Sequence, residues 1–137
     1  MECIFCKIVE GKIPADKILE TPSLLAFLDI KPIHPGHALL IPKTHYQNLF
    51  DLPENLLAEM GVEIKRLAQM IKMATGAEGV NIGMNNLAAA GQLVPHAHFH
   101  IIPRFTNDGY EHWKGKDVTQ EELKKMATKM KGAKVIS

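Results

Sequence analysis

Three histidines at alternate positions, His96, His98 and His100 in the run "HAHFH", are the residues of this chain whose type and spacing could do chemistry. In an extended segment alternate side chains share a face. The three imidazoles then project one way, ~7 Å apart, while Ala97, Phe99 and Ile101 project the other. Three readings fit. The histidines line a wet face with no task; two of them bring nitrogens to a metal such as zinc; or one neutral imidazole attacks an electrophile while its neighbours position it and stabilise charge. A second pair of reactive groups, Cys3 and Cys6, stands as Cys-x-x-Cys near the start. Half of a four-ligand metal site, a redox pair and two small core residues would each show that spacing.

Positioning such groups needs a compact domain, and the composition provides for one. The chain has 137 residues, 46% of them hydrophobic, which suits a single globular domain over residues 1–137. With 16 basic and 15 acidic residues the net charge is +1, so neither general nucleic-acid binding nor membrane-surface attachment is expected. No apolar run approaches the ~20 residues of a membrane span, and no secretory leader is evident. Two cysteines make no disulfide framework, and a reducing cytoplasm is the expected location.

The pattern along the chain is α+β. Apolar runs bounded by Pro and Gly predict strands over 23–30 and 36–42, joined by the turn "KPIHPG". From Asp51 the apolar spacing changes to three and four (Leu56, Leu57, Met60, Ile64, Leu67, Ala68, Ile71), which predicts a long amphipathic helix ending at Gly76. Two further strands are predicted over 79–86 and 94–103. Thr119 and Glu122 form a capping-box pattern ahead of a C-terminal helix with the stripe Leu123, Met126, Ala127 and Met130. His34, His37 and His112 read as surface or turn histidines.

"GQLVPHAHFHIIPR", residues 91–104, resembles the signature of the histidine triad (HIT) superfamily. "CIFCKIVEGKIPADKILE", "LAFLDIKPIHPGHALLIPKTH" and "NIGMNN" fall in the order and spacing of its Hint-like branch, the nucleoside phosphoramidase type. The resemblance spans roughly residues 3–112, and the tail over about 113–137 matches less well. It implies the HIT fold: a largely antiparallel sheet, the long helix on one face, and here a C-terminal helix added. It also implies a nucleotide hydrolase or transferase working at the α-phosphate of purine nucleotide conjugates. The favoured reaction is hydrolysis of adenosine 5'-phosphoramidate, an AMP–amine, with release of AMP. Dinucleoside polyphosphate hydrolysis, as in the Fhit branch, and a regulatory or scaffold protein with incidental activity are the alternatives.

By the same resemblance His98 is the nucleophile that becomes nucleotidyl-histidine. His100 and Gln92 donate hydrogen bonds to phosphate oxygens, helped by backbone N–H groups around Gly91, Leu93 and Val94. Asp29 holds the ribose hydroxyls, Asn85 reaches ribose or phosphate, and Ile4, Phe5, Ile8, Phe27 and Ile30 sandwich the base. By periodicity alone Phe27 and Ile30 read as core instead. Leu93 stands where many relatives place Ser or Thr, which shifts leaving-group protonation onto the histidines. Leu28 stands where some relatives have a polar residue beside the base, so strict adenine selectivity is not implied. Bacterial and archaeal members of this type hold a structural zinc, which maps onto Cys3, Cys6, His45 and His96. A homodimer with one extended sheet, the long helix contributing, is the implied assembly.

Overall fold

The computed structural model describes residues 2–135; residues 1, 136 and 137 of the expected single domain lie outside those described. Helix α1 (Ile4–Val9) comes first, then strands β1 (Lys17–Glu20), β2 (Leu24–Leu28) and β3 (Ala38–Pro42), and helix α2 (Glu54–Thr75). Strands β4 (Gly79–Gly83) and β5 (Phe99–Arg104) and helix α3 (Gln120–Lys131) complete the order, with short 3-10 turns at Leu49–Asp51 and Ala88–Ala90. All strand pairs are antiparallel, in the order β1-β2-β3-β5-β4. The α+β expectation and the sheet with a long helix on one face are both met.

Strands β2 and β3 are apolar at both parities because both faces of the sheet are covered. Leu24, Ala26, Ala38 and Leu40 pack with Met60, Leu67 and Ile71 of α2. Leu25, Phe27, Leu39 and Ile41 turn the other way and pack with Phe5 and Ile8. Covering that second face falls to α1, which at six residues is too short to show a helical period. Cys3 caps it, its Sγ accepting the Cys6 N–H. Helix α2 starts after Pro53 and stops at Gly76, whose φ of 72° is the left-handed conformation glycine adopts without steric cost.

Two expectations change. The strand expected from Val94 begins only at Phe99. Pro95 has no N–H to give a ladder; the His96 N–H turns back onto the Val94 carbonyl (2.8 Å), and the Ala97 N–H bonds Tyr46 outside the sheet (2.7 Å). His96 and His98 therefore sit on an irregular approach to β5, and only His100 is on the strand, paired between Leu39 and Gly83. The C-terminal helix forms with Thr119 accepting the Glu122 N–H at 3.1 Å. Its stripe, however, packs on nothing among the described residues: Leu123, Met126 and Met130 are at least half exposed.

Candidate active site and metal centre

The irregular segment 94–98 delivers two histidines to the α1 side of the sheet, and β5 delivers the third. In His98 and His100 one ring nitrogen has a partner, and that partner fixes the role of the other nitrogen. His98 donates Nδ1–H to the His96 carbonyl at 2.8 Å, so Nε2 carries the lone pair. His37 Nδ1 accepts the Ile33 N–H at 3.1 Å; its Nε2–H therefore points at His100 Nδ1, 2.9 Å away. With Nδ1 accepting, His100 keeps its proton on Nε2. A free lone pair on His98 thus stands next to a free donor on His100, their rings 5.0 Å apart.

Burial keeps this chain of imidazoles neutral. It lowers the pKa of His98 against the pull of the His96 carbonyl and of Asp29, and lowers that of His37 against Asp29. For His100, burial together with the neighbouring His98 and His37 takes it to about 4. A neutral imidazole is the form that can attack.

His98 and His100 open onto a cavity of ≈330 Å³ between α1, the end of β2 and the loop over 85–94. Phe5, Ile8 and Phe27 are buried walls; Phe5 stands edge-on to both Phe27 (5.6 Å) and His98 (5.2 Å). Ile4 lines the mouth. Ile30, expected to sandwich the base, is 88% exposed and touches the cavity only at its rim, because β2 ends at Leu28. Leu28 itself lines the cavity, as do Asp29, Asn85, Gly91, Leu93 and Val94. Asp29 meets its reading as a turn residue. One carboxylate oxygen accepts the Lys31 N–H at 2.9 Å and holds the turn, while the other lies 3.7 Å from His37 Nε2.

Gln92 departs from expectation. Its amide hydrogens go to the carbonyls of Val94 (3.0 Å) and Gln47, and its oxygen accepts the Leu87 N–H (2.8 Å). With those hydrogens spent it braces the loop and leaves none for a phosphate. The same loop holds Gly91 at φ 87° and Leu87 at φ 73°, the latter a strained conformation for a branched side chain.

His37, read from the sequence as a surface or turn residue, is buried within this network. The signal was available in parity: His37, Leu39 and Ile41 alternate on the face that carries Phe27. His34 is also no free surface group, since its Nε2 lies 3.0 Å from Asp108. Only His112 is exposed as read.

Cys3, Cys6, His45 and His96 converge on the far side of His98, each offering one ligand atom within 4.8 Å of the others. Cys3 Sγ and His96 Nδ1 are 3.3 Å apart, Cys6 Sγ and His45 Nδ1 3.4 Å, and the two Nδ1 atoms 3.2 Å. Tetrahedral ligands at zinc bond lengths of roughly 2.0–2.3 Å are separated by roughly 3.3–3.8 Å, so this donor set fits. His96 Nε2–H donates to the Pro42 carbonyl at 2.8 Å, turning its Nδ1 lone pair toward the thiols. Burial and the adjacent Cys3 push the Cys6 thiol up to about 11, a cost that a bound cation reverses. Asp29, His37 and His100 form another close group, but it does not suit a metal. Ligation at His37 Nε2 would drive its proton to Nδ1, against the Ile33 N–H.

Comparison with known proteins gives one answer. The HIT domain model matches residues 10–107. An uncharacterized HIT-like protein of Methanocaldococcus jannaschii is 42% identical over 130 residues, covering 95% of this chain and 99% of its own length. The adenosine 5'-monophosphoramidase of Schizosaccharomyces pombe is 43% identical, covering 90% of this chain and 92% of that enzyme. A crystal structure of a HIT family member from Bacillus subtilis aligns over 100% of both chains with a TM-score of 0.91 and 37% identity.

Proposed function

The chain belongs to the HIT domain family, and from that premise we propose that it is a nucleotide hydrolase or transferase that cleaves purine nucleotide conjugates at the α-phosphate, adenosine 5'-phosphoramidates foremost. The observation that carries this is the pairing of a free, neutral His98 Nε2 with a His100 Nε2–H at the end of a nucleotide-sized cavity. A relative at 43% identity that is named an adenosine 5'-monophosphoramidase supports the leaving group.

In this reading His98 Nε2 attacks the α-phosphorus. The N–P bond to His98 forms as the bond to the leaving nitrogen breaks; that nitrogen keeps the bonding pair and takes the proton of His100 Nε2–H, which the water of the next step replaces. Charge that builds on the His98 ring strengthens its Nδ1–H bond to the His96 carbonyl. His100 Nε2–H and the backbone N–H groups of Leu93 and Val94 serve the phosphate oxygens. Water then attacks phosphorus, releases AMP and restores His98, so that conjugate plus water gives AMP plus amine. Asp29 binds the ribose hydroxyls with its freer oxygen, Asn85 assists, and Phe5, Ile8 and Phe27 hold the base with Ile4 and Ile30 at the rim.

Cys3, Cys6, His45 and His96 would hold zinc; a closed Cys2His2 set supplies a cross-link and leaves no position for substrate. His96 thereby serves metal through Nδ1 and His98 through its carbonyl. Such thiols belong in a reducing compartment, which supports a cytoplasmic location. The working core is residues 3–112 of one domain. A homodimer is supported by β4, an edge strand with Ile82 exposed, and by exposed Val62 and Met73 on α2.

Intact-protein mass spectrometry after a rapid acid-free quench with a fluorogenic adenosine phosphoramidate tests the reading. A transient adduct of one AMP is expected on the wild type and not on His98→Ala. AMP binding without adduct or turnover would leave the triad a binding site and sink the catalytic assignment.

A further inference from the structure

The bond between His37 and His100 has two solutions, one with each ring as the donor. His37 donates only because its Nδ1 accepts the Ile33 N–H at 3.1 Å; the opposite arrangement would set two N–H groups against each other there. In that arrangement His100 would carry its proton on Nδ1 and turn a lone pair toward the phosphate. Asp29 does not decide the matter, since its oxygen stands 3.7 Å from His37 Nε2, beyond hydrogen-bond reach. One amide therefore sets the direction of the whole relay, and it lies in an exposed turn: Ile33 is 39% exposed, so water competes for its N–H.

We infer that His34 and Asp108 are positioning residues for the proposed reaction: they hold the Ile33 amide on His37 Nδ1 and so fix which nitrogen of His37, and through it of His100, carries the proton. The inference rests on the catalytic reading above for its rates and on the hydrogen bonds alone for its protons.

His34 is placed to do this through both backbone and side chain. Pro35 and Gly36, the latter at φ 103°, follow it in the pattern of a type II turn, and the His37 N–H returns to the His34 carbonyl at 3.0 Å. Its ring lies edge-on to Phe105 (5.4 Å) and Tyr110 (5.3 Å), and Nε2–H donates to Asp108 Oδ2 at 3.0 Å. Asp108 is a fixed post. Arg104 grips it through Nε and Nη2 at 2.7 and 2.9 Å, and the N–H groups of Phe105 and Tyr110 each donate to it at 3.1 Å. Those donors, Arg104 first, hold the Asp108 carboxyl well below the usual carboxylate range, so it accepts at any ordinary pH. Arg104 ends β5, the strand that carries His100, and the post is thus tied to the ring whose proton it governs. Neither His34 nor Asp108 lines the cavity at His98. Their effect on the chemistry has to pass through His37.

Two substitutions separate positioning from packing. His34→Phe keeps a ring between Phe105 and Tyr110 and removes the N–H, whereas His34→Gln still presents one. Long-range proton–nitrogen correlation spectra distinguish a protonated ring nitrogen from one bearing a lone pair. They should show His37 and His100 protonated on Nε2 in wild type and in His34→Gln, and a mixture of both tautomers at each in His34→Phe. For adenosine 5'-phosphoramidate, His34→Phe should lower kcat about tenfold with KM changed less than about twofold, and His34→Gln should recover most of that loss. In a His37→Ala background the same His34→Phe should lower kcat less than about twofold, whereas a loss of folded protein would lower it equally in both backgrounds. Unaltered Nε2 protonation in His34→Phe, or an equal fall in the two backgrounds, overturns the inference and leaves the catalytic reading standing. If wild type hydrolyses no phosphoramidate the catalytic reading falls, and the spectra alone then decide whether His34 fixes the protons.

Discussion

Two clusters flank His98, and they are built from nearly the same parts. On one side His45 and His96 meet two thiols; on the other His37 and His100 meet the carboxylate of Asp29. Composition makes both of them metal sites. Their outer hydrogen bonds separate them. The Pro42 carbonyl takes the Nε2 proton of His96 and sends its lone pair inward, whereas the Ile33 N–H takes the Nδ1 lone pair of His37 and sends a proton inward. One backbone carbonyl and one backbone amide thus turn a lone pair inward in the first cluster, as the proposed zinc needs, and a proton inward in the second, as the phosphate of the proposed reaction needs.

His98 stands between the two, and its loss should have the largest effect. His98→Ala is expected to lower kcat by about 10⁴-fold or more with AMP still bound; turnover within tenfold of wild type would show that neither cluster serves this residue. Metal loss comes next. Elemental analysis should find one zinc per chain, and chelation or Cys6→Ser should lower the Tm by roughly 10 °C or more. His37→Ala should leave zinc content and chelator sensitivity as in wild type. A variant at His37 that loses the metal would erase the distinction drawn here.

His37→Ala should instead act on rate. Without its Nε2–H, His100 Nδ1 loses the partner that fixes its tautomer, and kcat should fall about 10–100-fold with KM little changed. His37→Gln, which can still present an N–H, should recover part of that loss in the same steady-state assay. Equal rates for the two variants would reduce His37 to packing.

How much of this the sequence carried differs between the clusters. The cysteine spacing and the alternation of histidines are local, so the thiols and the triad were legible from residue type alone. Strands β2 and β3 and helix α2 were legible too, through apolar runs bounded by Pro and Gly and a clear helical period. Helix α1 was not, since six residues span fewer than two turns, and its closing of the second face is a long-range fact. His37 was missed for a related reason: its role depends on lying beside His100, 63 residues away in sequence. Gln92 was misassigned because nothing local reveals that Gln47 lies within reach of its amide. Hydrogen-bond direction, which decides metal against proton, is a property of partners and not of residue type.

The smallest expected effect is on the pH dependence of stability, and here the clusters should differ in what rescues them. An unfolded histidine titrates near ~6.5, and folded His100 near about 4, so between those values the unfolded chain binds more protons. Stability from keeping His100 neutral is then complete above pH 6.5 and is lost as pH falls toward and through 4. His100→Gln should show the shallower acid limb, with a Tm drop between pH 6.5 and 4.5 smaller than wild type by roughly 3–5 °C. Acid also competes with metal at His45 and His96, but that loss is shared by both proteins and should be reversed by added zinc. The difference between them should not be, because no metal stands in for the proton between His37 and His100. Calorimetry of both proteins across this range, with and without excess zinc, separates the contributions; a zinc-sensitive difference would mean that the relay binds metal after all.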